Sequence, residues 1–335
     1  MLKSKFENFL NFIKNKNIII TTHDLVDIDG LVSCIILKFF LNQYLKNQNV
    51  FIYFSDFTKS TKNFIKNFAE KFTEFDLSYE KNIILYNTDV LLIVDTNNLN
   101  QVRFDYNFDI SDSGVPYIFI DHHYRGANSK NSNRIAVDLI DEKYSSTAEL
   151  ILELIDFYNI PLNIPLKNLI ISAILTDSGF FKHGNNKTIQ NVSKLLCEDI
   201  NIQDILLLLK REIDISEKIA QIKGLQRVEL IQEGNYLIGI TNVSSFGASV
   251  ASMLTKMGFD IGIVISKEPN HYRINTRAKK RVCRETGLNL GKILEEMSKE
   301  YEGSGGGHDG AASLTINIEF DVNTHEIIDK IKQYL

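Results

Sequence analysis

The chain has few of the features that mark secreted, membrane-spanning or disulfide-stapled proteins. Its three cysteines, Cys34, Cys197 and Cys283, are far apart and form no CxxC pair, so a reducing cytoplasm fits them better than a disulfide framework. No stretch approaches the roughly 20 consecutive apolar residues of a membrane span. The N-terminal segment also lacks the apolar core and small-residue cleavage site of a signal peptide. We therefore expect a cytoplasmic protein with no membrane partner.

An excess of positive charge is also lacking. The formal net charge is −5, from 37 basic and 42 acidic residues, which argues against a protein that coats long duplexes. A short nucleic acid held in a local basic pocket remains compatible with this balance. The 335 residues are enough for two domains, and 44% hydrophobic with 24% charged residues is ordinary for a globular protein.

The most informative stretch reads TTHDLVDIDGLVS. The residues Ile18–Thr22 precede His23 and predict a buried parallel strand, while the pattern after Gly30 predicts a helix. His23, Asp27 and Asp29 then lie in the loop at the carboxyl end of a strand, where open α/β sheets place their ligands. One imidazole and two carboxylates suit a divalent metal. The alternative is an ordinary Asp-Gly turn that caps the helix.

Three later segments place similar side chains in corresponding positions. A second apolar strand ends at Asp95, and a third ends in Asp121, His122 and His123. An apolar helix then runs into Asp177. Strand ends of one parallel sheet converge in space, so these groups can meet. A single surface Asp after a strand is common, but the recurrence favours one shared site.

The order of these motifs, HxxxDxD, VDT, DHH and TDSG, resembles the DHH phosphoesterase superfamily. The segment Ser146–Glu149 is similar to the STAE helix start of that superfamily. Near the C-terminus, GGGH at 305–308 with Ala311 and Ala312 resembles the signature of the companion substrate domain, DHHA1. The resemblance covers nearly the whole chain, in order.

The resemblance implies two metal ions. One ion would be held by His23, Asp27 and Asp95, and the other by Asp29, Asp95, His122 and Asp177. Two ions roughly 3.5–4 Å apart suit in-line displacement at phosphorus by a bridging hydroxide. Imidazoles among carboxylates favour Mn²⁺, with Mg²⁺ as the alternative.

The resemblance also assigns roles beside the metals. Asp95 would bridge the ions. Asp121 would orient His122 without binding a metal itself. His123 would contact the scissile phosphate. The bland interpretation of the His pair is a capped, partly buried turn.

Substrate binding is expected in the second domain. Gly305, Gly306 and Gly307 would let the backbone approach a phosphate, with amides free to donate. His308 would add a side-chain contact, and Arg277 matches the arginine that family members place on a phosphate or carboxylate. Taken without the resemblance, the glycine run reads as a flexible loop.

Alternating strands and helices predict an α/β fold with a mostly parallel, doubly wound sheet over residues 1–200. A helical connector is expected over 201–226 and a smaller mixed α/β domain over 227–335. The resemblance implies a cytoplasmic phosphodiesterase of the oligoribonuclease (nanoRNase) and 3′-phosphoadenosine-5′-phosphate (pAp) phosphatase branch, acting on short RNA or nucleotides. A homodimer is compatible with it.

Other functions stay open. Cyclic- and linear-dinucleotide phosphodiesterases share both domains, whereas a RecJ-like single-strand exonuclease normally carries further nucleic-acid-binding segments. A family-II pyrophosphatase is disfavoured because its second domain lacks GGGH. A catalytically silent replication-complex scaffold would be marked by lost ligands, and all the expected ligands remain.

Overall fold

A computed structural model describes residues 2–46, 49–80, 87–104, 114–124, 138–210, 213–317 and 324–335. The chain folds as two compact units, Met1–Glu212 and Ile213–Leu335. The division falls inside the segment expected to be a helical connector.

The first unit is built on a parallel sheet. Its strands are β1 (Ile18–Thr21), β2 (Val50–Ile52), β3 (Val90–Val94), β4 (Tyr117–Asp121) and β5 (Leu139–Ile140), in the order β2-β1-β3-β4-β5. Its helices are α1 (Leu2–Ile13), α2 (Ile28–Tyr44), α3 (Lys59–Lys71), α4 (Thr147–Phe157), α5 (Ile164–Asp177), α6 (Asn186–Leu195) and α7 (Ile202–Leu208). Every residue of β1, β3 and β4 is buried, as expected where helices cover both faces of a sheet.

The strand order reverses between β1 and β3. In open α/β sheets such a switch point opens a crevice at the carboxyl ends of the two strands, and ligands bind there. Helix α2 begins at this edge, where the Asp27 side chain accepts a hydrogen bond from the Gly30 amide at 2.9 Å. The apolar α2 packs against α4 and α5. The fold therefore places the loop after β1 directly at the crevice.

The second unit contains a mixed sheet. Its strands are β6 (Glu229–Glu233), β7 (Tyr236–Val243), β8 (Ile261–Lys267), β9 (His271–Ala278), β10 (Ser304–His308) and β11 (Ala311–Asn317), in the order β10-β11-β9-β8-β7-β6. Its helices are α8 (Ile215–Gln226), α9 (Gly247–Met257), α10 (Lys280–Thr286), α11 (Leu290–Glu300) and α12 (Thr324–Lys332). Strands β7 and β8 are parallel, and α9 connects them. Within the described residues, no helix is long and apolar enough to cross a membrane.

The predicted fold class is confirmed, with differences of detail. The segment Ile135–Ile140 predicts a further strand, which is seen as Leu139–Ile140, and residues 135–137 lie outside the described residues. The sequence from Thr188 to Ala220 has a mostly helical pattern, and the structure divides it among α6, α7 and α8. The glycine run forms the strand β10, because antiparallel pairing with β11 holds its backbone extended.

Candidate active site

The loop after β1 presents His23 to the crevice. Its Nδ1 donates to the Asp24 carbonyl at 2.8 Å, which leaves Nε2 free for a ligand. Nε2 lies 3.6 Å from Oδ1 of Asp27 and 3.7 Å from Oδ2 of Asp95. Burial alone would lower the pKa of His23, but the two carboxylates raise it to about 10. A metal ion would displace that proton, since a ligating imidazole is neutral.

Asp95 lies between two imidazoles. Its backbone adopts a left-handed conformation with φ of 58°, and its amide donates to Ile120 O at 2.9 Å. One carboxylate oxygen lies 3.7 Å from Nε2 of His23, and the other lies 3.7 Å from Nε2 of His122. The Thr147 hydroxyl donates to this second oxygen at 3.0 Å. Asp95 thus turns one carboxylate oxygen toward each of the two imidazoles.

Asp29 is held by the start of α4. Its carboxylate accepts from the Thr147 amide at 2.7 Å and from the Ala148 amide at 3.0 Å. Free amides and the positive end of the helix dipole favour an anion there. Complete burial, followed by the nearby charge of Asp95, nevertheless raises the pKa of Asp29 well above its ordinary value. A buried carboxylate among other carboxylates requires a cation or a proton.

His122 and Asp177 form the other side of the site. The Nδ1 atom of His122 lies 3.3 Å from the Tyr144 carbonyl. Its Nε2 atom is buried and makes no hydrogen bond, although Oδ2 of Asp177 lies 3.0 Å away. An unpaired buried nitrogen beside a carboxylate is the arrangement expected of two ligands of one ion.

Asp121 orients the ring of His123, and the prediction that it orients His122 is wrong. Its Oδ1 accepts from Nδ1 of His123 at 2.8 Å, while the His122 ring turns toward the Tyr144 carbonyl. Asp121 also accepts the His122 amide at 2.8 Å and the Asn97 side-chain amide at 2.7 Å. The hydrogen bond to Asp121 raises the pKa of His123 to about 9. His123 is 56% exposed and therefore reaches the crevice.

The candidate ligands form three sets, and within each set the ligand atoms lie within 4.8 Å of one another. They are Asp95 with Asp121, His122 and His123; His23 with Asp27 and Asp95; and Asp29 with His122 and Asp177. The second set matches the first expected ion, and the third contains three of the four ligands expected for the other. The structure thus brings all six expected metal ligands to one edge of the sheet. Mixed imidazole and carboxylate donors fit a divalent transition metal.

A cavity of about 600 Å³ continues from the ligands to the protein surface. Its lining includes Asn97, Arg103, His123 and Tyr124. Arg103 pairs with Asp24 at 3.2 Å and remains largely exposed, and the ring of Tyr124 is also exposed. The cavity therefore offers a cation and an aromatic face beside the metal ligands.

Asn97 and Thr147 are parts of the site that were not predicted from the sequence. Asn97 follows the VDT motif by one residue, and Thr147 stands inside the STAE motif. Both contacts join segments far apart in the chain, and nothing local in the sequence marks them. For Thr147, its place in the STAE motif is the one feature of the sequence that could have indicated a role in the site.

In the second unit, strand pairing aligns Arg277 with His308. Ala311 lies opposite Arg277 on one side and opposite His308 on the other. Directly opposed residues share a face of the sheet, so the two side chains flank Ala311, about 10 Å apart at the usual strand spacing. His308 is exposed and Arg277 is partly exposed.

The glycines beside His308 serve the packing of the unit. A Cβ on Gly305 would collide with the Leu294 carbonyl of α11, and one on Gly307 would collide with the Ala311 carbonyl. Gly306 has open space but a φ of +155°. Close backbone packing therefore requires glycine at 305 and 307, whatever else these residues bind.

Comparison with known proteins agrees with this domain organisation. The model of the DHH family, N-terminal domain, matches residues 17–176, and that of the DHHA1 domain matches residues 240–335. An uncharacterised protein of Methanocaldococcus jannaschii is 28% identical over 327 residues, covering 96% of this chain and 94% of that protein. The crystal structure of an exopolyphosphatase-related protein from Bacteroides fragilis superposes with a TM-score of 0.64 at 18% identity, over 99% of this chain and 95% of that one.

The two family models together match about three quarters of the chain. The metal-ligating motifs lie in the first of them or at its C-terminal border, and the GGGH motif lies in the second. The chain therefore belongs to the DHH superfamily of phosphoesterases, with a DHH domain followed by a DHHA1 domain.

Proposed function

We propose that this protein is a Mn²⁺-dependent phosphodiesterase that hydrolyses short oligoribonucleotides to mononucleotides, with pAp as a further substrate. The observation that carries the proposal is the placement of Asp95, with one carboxylate oxygen facing His23 and the other facing His122. Two divalent ions held in this way would neutralise phosphoryl charge and activate water.

The chain's own residues do the rest of the chemistry. Asp121 accepts a hydrogen bond from Nδ1 of His123, which fixes the ring and leaves Nε2 toward the cavity. Protonated His123 then donates a hydrogen bond to a phosphoryl oxygen, or gives its proton to the leaving oxygen. Asn97 holds the other oxygen of Asp121 and also donates to the His123 carbonyl at 3.2 Å, so the pair keeps its orientation.

Recognition of a nucleotide is supported by the cavity beside the ligands. A volume of about 600 Å³ suits one nucleotide better than a long strand. The exposed ring of Tyr124 can stack a base, and Arg103 can pair with a phosphate. In the second unit, Arg277 and His308 would bind the phosphate or carboxylate of an end group.

The test is hydrolysis of a substrate panel by the purified full-length protein with Mn²⁺, and with EDTA as the control. The panel contains RNAs of two, five and twenty-four nucleotides, pAp, cyclic dinucleotides and polyphosphate. We expect the two- and five-nucleotide RNAs to give mononucleotides at the highest kcat/KM.

Preference for the longest RNA would replace this proposal with a RecJ-like exonuclease, and preference for cyclic dinucleotides with a cyclic-dinucleotide phosphodiesterase. Polyphosphate is included because the Bacteroides fragilis protein is described as exopolyphosphatase-related. Turnover of polyphosphate alone would move the reaction from phosphodiesters to phosphoanhydrides.

A further inference from the structure

The second unit contains a cavity of about 740 Å³ at the carboxyl ends of its parallel strands. Ser244 and Ser245, which follow β7, form part of its wall, and Lys267 closes β8 there. Helix α8 supplies Lys223, and Tyr272 comes from the start of β9. Nothing in the DHH site described above contributes to this cavity.

The lining is basic. It contains Lys223, Arg227 and Lys267 and no carboxylate. Across the described part of the chain, none of the three has a carboxylate within ion-pair distance, and Arg227 donates only to the Asn242 side chain at 3.4 Å. Three cations around one concave surface raise the local positive potential and attract anions.

The strand topology at this edge is also one that commonly binds ligands. Strands β7 and β8 with α9 form a parallel β-α-β unit, whose carboxyl edge is the usual ligand position. Helix α9 begins at Gly247 without a side-chain cap, so its first amides keep their donors.

A buried hydroxyl lies unpaired at the same edge. Oγ of Ser266 is buried and makes no hydrogen bond, and a Cβ built on Gly247 would lie 2.8 Å from it. This hydroxyl is a polar group near the start of α9 that has no hydrogen-bond partner among the described residues.

The cavity is separate from the end-group site expected at Arg277. Arg277 is paired with Gly262 near the start of β8, whereas Lys267 at its end is paired with Tyr272. Five residues of strand separate the two positions, which is about 17 Å. One phosphate cannot contact both sites.

We propose that this cavity binds a nucleotide. Its phosphate contacts Lys223, Arg227 and Lys267, and its base stacks on Tyr272, whose ring already lies 5.7 Å from Nζ of Lys267. The ligand is either a free mononucleotide or one nucleotide of an RNA, since both present the same phosphate and base. This site goes beyond the hydrolytic function proposed above and does not depend on it.

The test measures binding in EDTA, so hydrolysis does not enter. Full-length Arg277→Ala protein removes the end-group contact and serves as the background. In this background, Lys223→Ala/Arg227→Ala/Lys267→Ala is compared with Lys256→Ala/Lys292→Ala/Lys299→Ala, which removes the same charge from exposed positions of the same unit. The probes are AMP, followed by calorimetry, and a fluorescein-labelled five-nucleotide RNA, followed by anisotropy.

We expect the cavity variant to bind at least one probe tenfold or more weakly, and the control variant to stay within twofold. The slope of log K against log salt for the RNA should fall by about 2 when three cations are removed. A loss with both probes identifies a mononucleotide site, and a loss with RNA alone identifies an RNA segment. Equal losses in the two variants, or no loss in either, would overturn the proposal.

The stacking contact has its own variant. Tyr272→Ala should weaken the binding of AMP several-fold. The affinity for inorganic phosphate, measured by its competition with AMP, should stay unchanged. If inorganic phosphate binds to the wild-type cavity as tightly as AMP does, the cavity recognises phosphate alone. The nucleotide assignment is then wrong. Unchanged melting temperatures verify that these exposed substitutions leave the fold intact.

Discussion

The two units present opposite charge at the same structural position. In the first unit, the carboxyl ends of β1, β3 and β4 carry imidazoles and carboxylates, with Asp95 at their centre. In the second, the carboxyl ends of β7 and β8 are surrounded by Lys223, Arg227 and Lys267. Parallel strands supply the crevice in both cases, and the side chains decide what enters it.

The two edges also differ in burial. Asp29 and Asp95 are only 1% and 4% exposed, whereas the three cations of the second unit are solvent-exposed. Buried carboxylates are unfavourable without a counter-charge or a proton, so the first edge is suited to bound cations. Exposed cations are hydrated and therefore need no bound ligand to be stable. The first edge is therefore a cofactor site and the second a site for exchangeable ligands.

The sharpest way to break this comparison is Asp95→Asn. Because Asp95 faces both imidazoles, the neutral amide should abolish detectable turnover and reduce bound Mn²⁺. Asp89→Asn is the matched control, since Asp89 precedes the same strand at its other end and accepts the Asn17 amide at 2.7 Å. Turnover is measured with a dinucleotide and metal content by elemental analysis. Retained turnover in excess Mn²⁺ would refute the bridging role.

His123→Ala tests whether the exposed imidazole acts on the substrate. Loss of a general acid typically lowers the rate by about 10²–10⁴-fold. We expect kcat to fall in that range with two Mn²⁺ per chain retained, whereas His122→Ala should lose metal. If metal analysis of His123→Ala shows one ion missing, His123 is a ligand.

Arg277→Ala addresses the end-group site of the second unit. Removal of a charge-assisted contact costs about 1.5–3 kcal/mol, which should lower kcat/KM about 10- to 150-fold. The loss should be equal for RNAs of two and five nucleotides, because both present the same end. Arg273→Ala is the control, an exposed residue of the same strand paired with Glu268 at 3.7 Å. A loss confined to the longer RNA would contradict end recognition.

Asn97→Ala isolates the residue that supports Asp121. Groups of this kind typically change activity about 10- to 100-fold. We expect kcat to fall while the Mn²⁺ content stays near wild type, because the Asn97 amide donates to Asp121 and to the His123 carbonyl. Activity equal to wild type would show that His122 and His123 backbone amides hold Asp121 without it.

Local sequence predicted the strand ends and the polar side chains that follow them, whereas the division of these side chains between two ions came from the family resemblance. Asp95 and Asp121 each terminate an apolar run, and this pattern depends only on neighbours in the chain. The partner of Asp121 was not predictable, because the ring orientation of His122 depends on the Tyr144 carbonyl. The contact of Asp29 with the α4 amides spans more than a hundred residues and arises only in the folded state. Local pattern thus gave the residues, and packing gave their connections.

The last expected effect is on stability alone and concerns Asp260, which lies at the amino end of β8, opposite the basic cavity. At this end of β8 the neighbouring cations are paired with a carboxylate. The buried Asp260 accepts from Lys279 at 3.2 Å and from Arg281 at 3.4 Å. It also accepts the Leu237 amide at 3.1 Å. Burial alone would raise the pKa of Asp260, but these contacts lower it below its ordinary value.

A folded-state pKa below the unfolded value of about 3.9 stabilises the protein above that pH, and the gain is lost as pH falls through the folded pKa. Asp260→Asn should therefore lower the free energy of unfolding by about 1.5–3 kcal/mol at pH 7. The difference from wild type should shrink below about pH 4. Glu285→Gln is the control, because it removes a half-exposed partner of the same Arg281 and should change stability much less. Urea unfolding at pH 7, 5 and 3 measures both, and a difference that grows on acidification would show that Asp260 is not held as the anion by these cations.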